Sequence, residues 1–297
     1  MNMPLQVEAA ATGRHAATRR DASPSNAPSR ARETLAPRLQ RAAAIFWFVV
    51  VALGQLFFAG YVAGFYGRVT AAGHPERWND VMPHGYVAGD LFYNLVIGLH
   101  LAFAFVITVG GLLQLVPAIR RTVPALHRWT GRAYLVAAAI MACGGLAMVW
   151  LRGGAAGDFP QHVAISINAT IILACAVTAW RHARARRLDR HRAWALRLFV
   201  AVSGVWFFRV GLMAWIVIHR GPAGFDPQTF SGPFLTALAF GVYVLPVGVL
   251  ELHLRAQRTR GGGAKYAMAA ALATLSLATA VGVAAATAFL WLPRLQG

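Results

Sequence analysis

The sequence is short of charge and above all of acid: 13% of its 297 residues are charged, and only 10 are Asp or Glu. A soluble globular chain carries about 25% charged residues, so an ordinary soluble enzyme is excluded. Two cysteines, Cys143 and Cys175, are too few for a disulfide framework or a metal-type Cys spacing. Both fall in apolar segments, at predicted depths roughly 12 Å apart at 1.5 Å rise per residue. A disulfide needs Cα atoms within about 7 Å. No His-Glu-x-x-His, phosphate loop, dinucleotide fingerprint or Gly-x-Ser-x-Gly elbow occurs, so no residue is assigned a catalytic role.

Apolar residues are plentiful instead: 58% of the chain is hydrophobic and its mean hydropathy is +0.52. Residues 1–41 are rich in Ala, Arg, Ser and Pro, without hydrophobic periodicity or the apolar core of a signal peptide. They read as a disordered basic cytoplasmic arm that touches anionic lipid. Seven segments of about 20 apolar residues then qualify as spans. They lie near 42–66, 91–118, 130–151, 161–180, 193–218, 233–254 and 266–292. The expected fold is an all-α, polytopic transmembrane bundle over 42–292, with a core unit at about 90–218. Pro117 and Pro246 are its visible helix interruptions. Tyr86, Trp150 and Trp291 fall near span ends, where interfacial anchors belong.

The charge balance is a formal +18, from 28 basic residues of which only Lys265 is Lys. In a soluble domain that excess would suggest nucleic acid. Here 22 of the 28 fall in the arm and in the loops around 119–129, 181–192 and 255–265 with their adjoining helix ends. The opposite side holds Arg68, Arg77, Arg152, Arg220 and Arg294. By the positive-inside rule the N-terminus is expected inside and the C-terminus outside. The partner is then the lipid bilayer, not nucleic acid, and the location a bacterial inner membrane crossed several times. The inner group Arg120, Arg121, His127, Arg128, Arg132, Arg192 and Arg197 reads either as this topogenic signal or as a site for an anion or lipid headgroup.

Ionisable groups inside a bilayer are costly, about 2.5–3.5 kcal/mol for Arg on insertion scales. His100 and Arg209 each lie about nine residues, roughly 13 Å, below the outer ends of their spans. Helical spacing puts Tyr93, His100, Gly111 and Gln114 on one face of the second span, and His191, Val202 and Arg209 on one face of the fifth. Together they predict a polar pocket around His100, Gln114 and Arg209, reaching toward His127 and His191. No carboxylate shares the depth of Arg209. The guanidinium therefore either holds a carbonyl, water or anionic ligand, or extends to lipid phosphate. For His100 the alternative is an interhelical hydrogen bond, worth about 1 kcal/mol.

A faint repeat runs through this unit: His100 precedes His127 by 27 residues, and His162 precedes His191 by 29. The four-histidine order resembles cytochrome b561-like dihaem proteins. That resemblance implies b-type haem on His100 with His162 and on His127 with His191, with Arg209 serving a propionate. His162 stands roughly 12 Å above His100 along the normal.

The stretch His100…Gly110-Gly111-Leu112-Leu113-Gln114…His127-Arg128-Trp129-Thr130-Gly131-Arg132-Ala133-Tyr134, then His191-Arg192-Ala193-Trp194-Ala195-Leu196-Arg197…Arg209, resembles an uncharacterised bacterial membrane family, domain of unknown function 2306. The resemblance covers roughly residues 90–215, and His162 lies outside its pattern. It implies a multi-helix inner-membrane protein without a settled activity. Three functions stay open at this point: a haem or quinone redox protein, a transporter or binder of a small anionic molecule, and a non-catalytic membrane partner.

Overall fold

The computed structural model describes residues 27–82, 85–151 and 157–296. Among these the protein is helical and has no strand; an isolated bridge joins Asp226 to Ser231. Helix α1 (Ala27–Tyr61) passes through a π-helical turn, Val62–Gly67, into α2 (Arg68–Ala71). Helix α3 (Leu91–Leu115) is followed by the short α4 (Pro117–Thr122), then α5 (Pro124–Leu151) and α6 (Phe159–Arg184). Helices α7 (Leu188–Val202) and α8 (Gly204–His219) meet at an angle of 47°. Helix α9 (Pro233–Arg258) precedes α10 (Gly262–Ala286), whose end turns π-helical over Thr287–Trp291 before α11 (Leu292–Gln296). Six helices are each long and apolar enough to cross a membrane, and the bent α7–α8 pair gives up to a seventh crossing.

The expected arm is shorter than its composition suggests, because residues 27–41 are already helical. Residues 1–26 lie outside the described residues. Local chemistry sets several boundaries. The Asp90 carboxylate accepts the N–H of Tyr93 at 3.0 Å and opens α3, and Asp158 accepts that of Gln161 at 3.2 Å to open α6. Pro117, Pro124 and Pro233 stand at the first positions of α4, α5 and α9, where a missing N–H costs nothing. Pro246, in contrast, is carried inside α9. The break that reorients a span falls at Ser203-Gly204, a pair of the kind that kinks helices.

The bent pair α7–α8 is the centre of the bundle. Leu198, Phe199, Val200 and Ala201 are all buried, which four consecutive helical residues can be only if neighbours cover every side. Glycines admit those neighbours. A Cβ on Gly54 of α1 would fall 2.6 Å from the Trp206 ring, one on Gly111 of α3 3.1 Å from Phe199, and one on Gly282 of α10 2.6 Å from Val210. In lipid, such close packing rather than water exclusion holds helices together. Trp291, expected as an interfacial anchor, is instead buried against Phe58, because the π-turn rotates it into the core.

The two ends of the bundle differ. At the far end, where α3, α6 and α9 begin, the loops fold back on the helices. Trp78 donates to the Thr70 hydroxyl at 3.1 Å, and Arg294 to the Asp80 carbonyl at 3.1 Å. Asp226 accepts the Gln228 N–H at 2.8 Å, and such backbone bonds hold its carboxyl below the usual range. The opposite end carries the arginine-rich turns.

Candidate functional site

The register of the helices is read from the Gly111–Phe199 contact. From that level His100 lies eleven residues back along α3, and Arg209 ten residues on along α7 and α8. At 1.5 Å per residue that is roughly 16 Å along α3 for His100 and, measured along the bent pair, roughly 15 Å for Arg209, both toward the far end. The charge of Arg209 acts on the His100 ring. It acts also on Tyr61 of α1.

Arg209 is poorly satisfied. Its Nη1 reaches the Val205 carbonyl only at 3.4 Å, the edge of hydrogen bonding, and its Cζ sits 5.3 Å from the centre of the Phe58 ring. Among the described residues it has no ion-pair partner, and the His100 ring has no hydrogen-bond partner. One turn before Arg209, Val205 is 56% exposed, and Val217 and Ile218 of the same helix are exposed too. Arg209 therefore stands one turn from a side chain on the outer flank of the bundle. Two π-helical turns, Val62–Gly67 and Thr287–Trp291, lie beside it on α1 and α10; such turns are frequent at functional sites. Two surface recesses, one between α1 and α10 around Leu53 and Thr287, the other beside Trp150 and Ile167, are apolar and lined by neither His100 nor Arg209.

The remaining expected site residues separate into other places. Gln114, fourteen residues from His100 on the same helix, is roughly 21 Å away along the axis. Its amide donates to the Thr130 hydroxyl at 2.6 Å and packs on Gly131, tying α3 to the start of α5. His127 and His191 come within electrostatic range of each other and of Arg120 at the arginine-rich end. The Nδ1 of His191 meets the Ala179 carbonyl oxygen at 3.0 Å, and the buried Nδ1 of His127 has no partner. His162 packs edge-on to Trp150, ring centres 6.3 Å apart, at the far ends of α5 and α6. Trp150 lies sixteen residues beyond Tyr134, which touches the Gly111 level, so His162 is roughly 8 Å past His100. Helix α5 packs against both α3 and α6. The outer haem scheme needs two imidazoles facing across one plane, and His100 and His162 do not provide it. No group of three or more His, Cys, Asp or Glu among the described residues could hold a metal ion.

Three polar features were not visible in the spacing. Gln55 of α1 donates to the Ser203 hydroxyl at 2.9 Å, and Ser203 donates to the Phe199 carbonyl at 2.8 Å. Asn168 of α6 donates to the Ala201 carbonyl at 3.2 Å, so the bend is supported from two helices. Arg197 and Glu251 form an ion pair between α7 and α9, which removes one arginine from the cluster available to an anion. The signal for the bend, Ser203-Gly204 within an apolar span, was present in the sequence; the partners of Gln55 and Asn168 had none.

A helical bundle with six to seven membrane-length helices and a mid-depth polar pair defines an integral, multi-pass membrane protein. The model of the family described as Predicted membrane protein (DUF2306) matches residues 97–244, and the chain belongs to that family. The match runs from just before His100 into α9 and leaves out α1 and α10. No curated protein and no solved structure matches the chain.

Proposed function

We propose that the protein binds a small anionic molecule between His100 and Arg209, as a membrane carrier or binding protein. The observation that carries this reading is the state of Arg209: a partly buried guanidinium, without a carboxylate among the described residues, whose charge acts on an imidazole that has no hydrogen-bond partner among them. Such a pair offers several N–H donors and a net positive charge to a carboxylate or phosphate. Phe58 and Tyr61 supply an aromatic wall. The positive-inside asymmetry favours a bacterial inner membrane with the arginine-rich end toward the cytoplasm, so the site would be reached from the outer half.

The test is ligand-induced thermal stabilisation of the purified protein with a panel of carboxylates, organic phosphates and short-chain quinones, read against Arg209→Leu. Stabilisation by an anion that the variant loses supports the reading. Stabilisation by quinone alone, or a reducible b-type absorption spectrum lost in His100→Ala, replaces it with a redox function. Equal response of parent and variant leaves Arg209 as a residue that reaches to lipid phosphate.

A further inference from the structure

The block His127-Arg128-Trp129-x-x-Arg132 on α5 has a counterpart on α7, His191-Arg192-x-Trp194-x-x-Arg197. Both build the same local unit. In each, the arginine one turn beyond the tryptophan places its Cζ 4.7 Å from the ring centre. Their surroundings differ. Arg197 is partly buried and is neutralised by Glu251 of α9. Arg132 stands exposed on the surface, and no carboxylate among the described residues pairs with it. Its own stretch of chain offers none, since no Asp or Glu occurs between Asp90 and Asp158.

Arg128 and Arg132 are four residues apart, so their side chains are neighbours on one side of α5, and like charges at that spacing repel. Both are exposed. Beside them runs the outer face of the helix. Leu126, Trp129, Val136 and Ile140 are exposed, Trp129 to 68%, and with Ala133 they follow the three-four spacing of a single stripe. From Ile140 to Trp129 the stripe covers roughly 16 Å, about half the hydrocarbon thickness of a bilayer. It ends, at the arginine-rich end, in an indole flanked by two guanidiniums without counter-charge. Tryptophan belongs at the headgroup level of a membrane.

We propose that Arg128 and Arg132 clamp the phosphate of an anionic phospholipid in the leaflet at the arginine-rich end. Its acyl chains lie along the stripe from Trp129 to Ile140. Two planar guanidiniums converging on one phosphate replace their mutual repulsion with charge-assisted hydrogen bonds. A phospholipid fits better than a soluble phosphate because clamp and apolar stripe adjoin on one helix, and a single molecule satisfies both. An anionic headgroup fits better than a zwitterionic one, whose ammonium the two arginines repel. The site lies at the opposite end of the bundle from His100 and Arg209 and does not depend on the ligand proposed there.

Native mass spectrometry of the intact protein in detergent, titrated with dioleoylphosphatidylglycerol, reads the first bound lipid directly. That lipid should bind about tenfold more tightly than dioleoylphosphatidylcholine. Arg128→Gln with Arg132→Gln should remove the preference. Arg255→Gln with Arg258→Gln removes the same charge from the end of α9, where both arginines act on the Glu251 carboxylate, and should leave the preference in place. Arg128→Lys with Arg132→Lys keeps the charge that directs membrane insertion and should still weaken binding, because two ammonium groups lack the planar fork. Glycerol phosphate, which has the phosphate without the chains, should not displace the lipid. Equal loss in the α9 pair would mean diffuse attraction to a basic surface and would overturn the clamp. Equal affinity for the two lipids, or parent-like binding by the Lys pair, would overturn it as well. Displacement by glycerol phosphate would overturn the lipid as occupant.

Discussion

Arg197 and Glu251 meet through two parallel bonds, Nε to Oε1 at 2.5 Å and Nη2 to Oε2 at 3.0 Å, and so clamp the central α7 to α9. Arg197 also lies 4.7 Å from the centre of the Trp194 ring, which fixes the plane of its guanidinium. The pair is partly buried, its side chains 22% and 33% exposed. Glu251→Gln should cost about 1–2 kcal/mol, between the ranges for exposed and buried pairs. A double-mutant cycle with Arg197→Gln, followed by thermal unfolding in detergent, should show positive coupling; strict additivity would mean that the clamp carries no stability.

Arg209→Lys keeps the charge and loses the planar, multi-donor geometry. It should weaken anion retention while leaving membrane insertion and unfolding temperature close to the parent's. Arg209→Leu should lower the insertion cost and abolish retention. Binding assays and unfolding curves on both variants check this, and unaltered retention in both would remove Arg209 from the site.

Gln114→Leu should destabilise the junction of α3 and α5 by about 1 kcal/mol, the usual net worth of such a hydrogen bond. It should not alter ligand retention, because its amide is held by Thr130 far from His100. A variant that folds like the parent but loses ligand would place Gln114 back in the pocket.

Gly282→Ala should be worse than its size suggests, about 1–3 kcal/mol, because the new Cβ would lie 2.8 Å from the backbone oxygen of Val210. Gly60→Ala, with nothing within 4 Å, is the matched control and should be neutral or slightly stabilising. Comparable losses in the two would show that the α8–α10 contact is not tight.

Reporter fusions should place the N-terminus and the Arg181–Arg192 turn on the cytoplasmic side and Gly297 opposite, as the distribution of Arg demands. Both termini on one side would mean that the α7–α8 pair turns back instead of crossing.

The spans were legible because hydropathy is a local property, and each helix of membrane length has its own apolar run. The electrostatic influence of Arg209 on His100 matches the similar depth that 1.5 Å per residue assigns them within their spans. Azimuth was not legible. Whether Gln114 faces His100 or Thr130, or Trp291 faces lipid or Phe58, depends on which helix lies alongside and on a π-turn that rotates the chain. The straight-helix arithmetic that aligned His191, Val202 and Arg209 failed at Ser203, where a 47° bend resets the phase. The partner of Arg197 lay 54 residues away and could be found only by packing.

The all-round burial of Leu198–Ala201 bears on how the protein is made. Helix α7 is only 15 residues long and carries Asp189, Arg190, Arg192 and Arg197, so it does not pass as a membrane crossing without α8. A segment of that composition partitions poorly from a translocation channel into bare lipid. Its stable home is a slot lined by α3, α6 and α9, and the last of those is synthesised after it. Integration of this span is therefore coupled to the arrival of α9, and chains truncated before α9 should leave α7 accessible to proteases at the membrane surface.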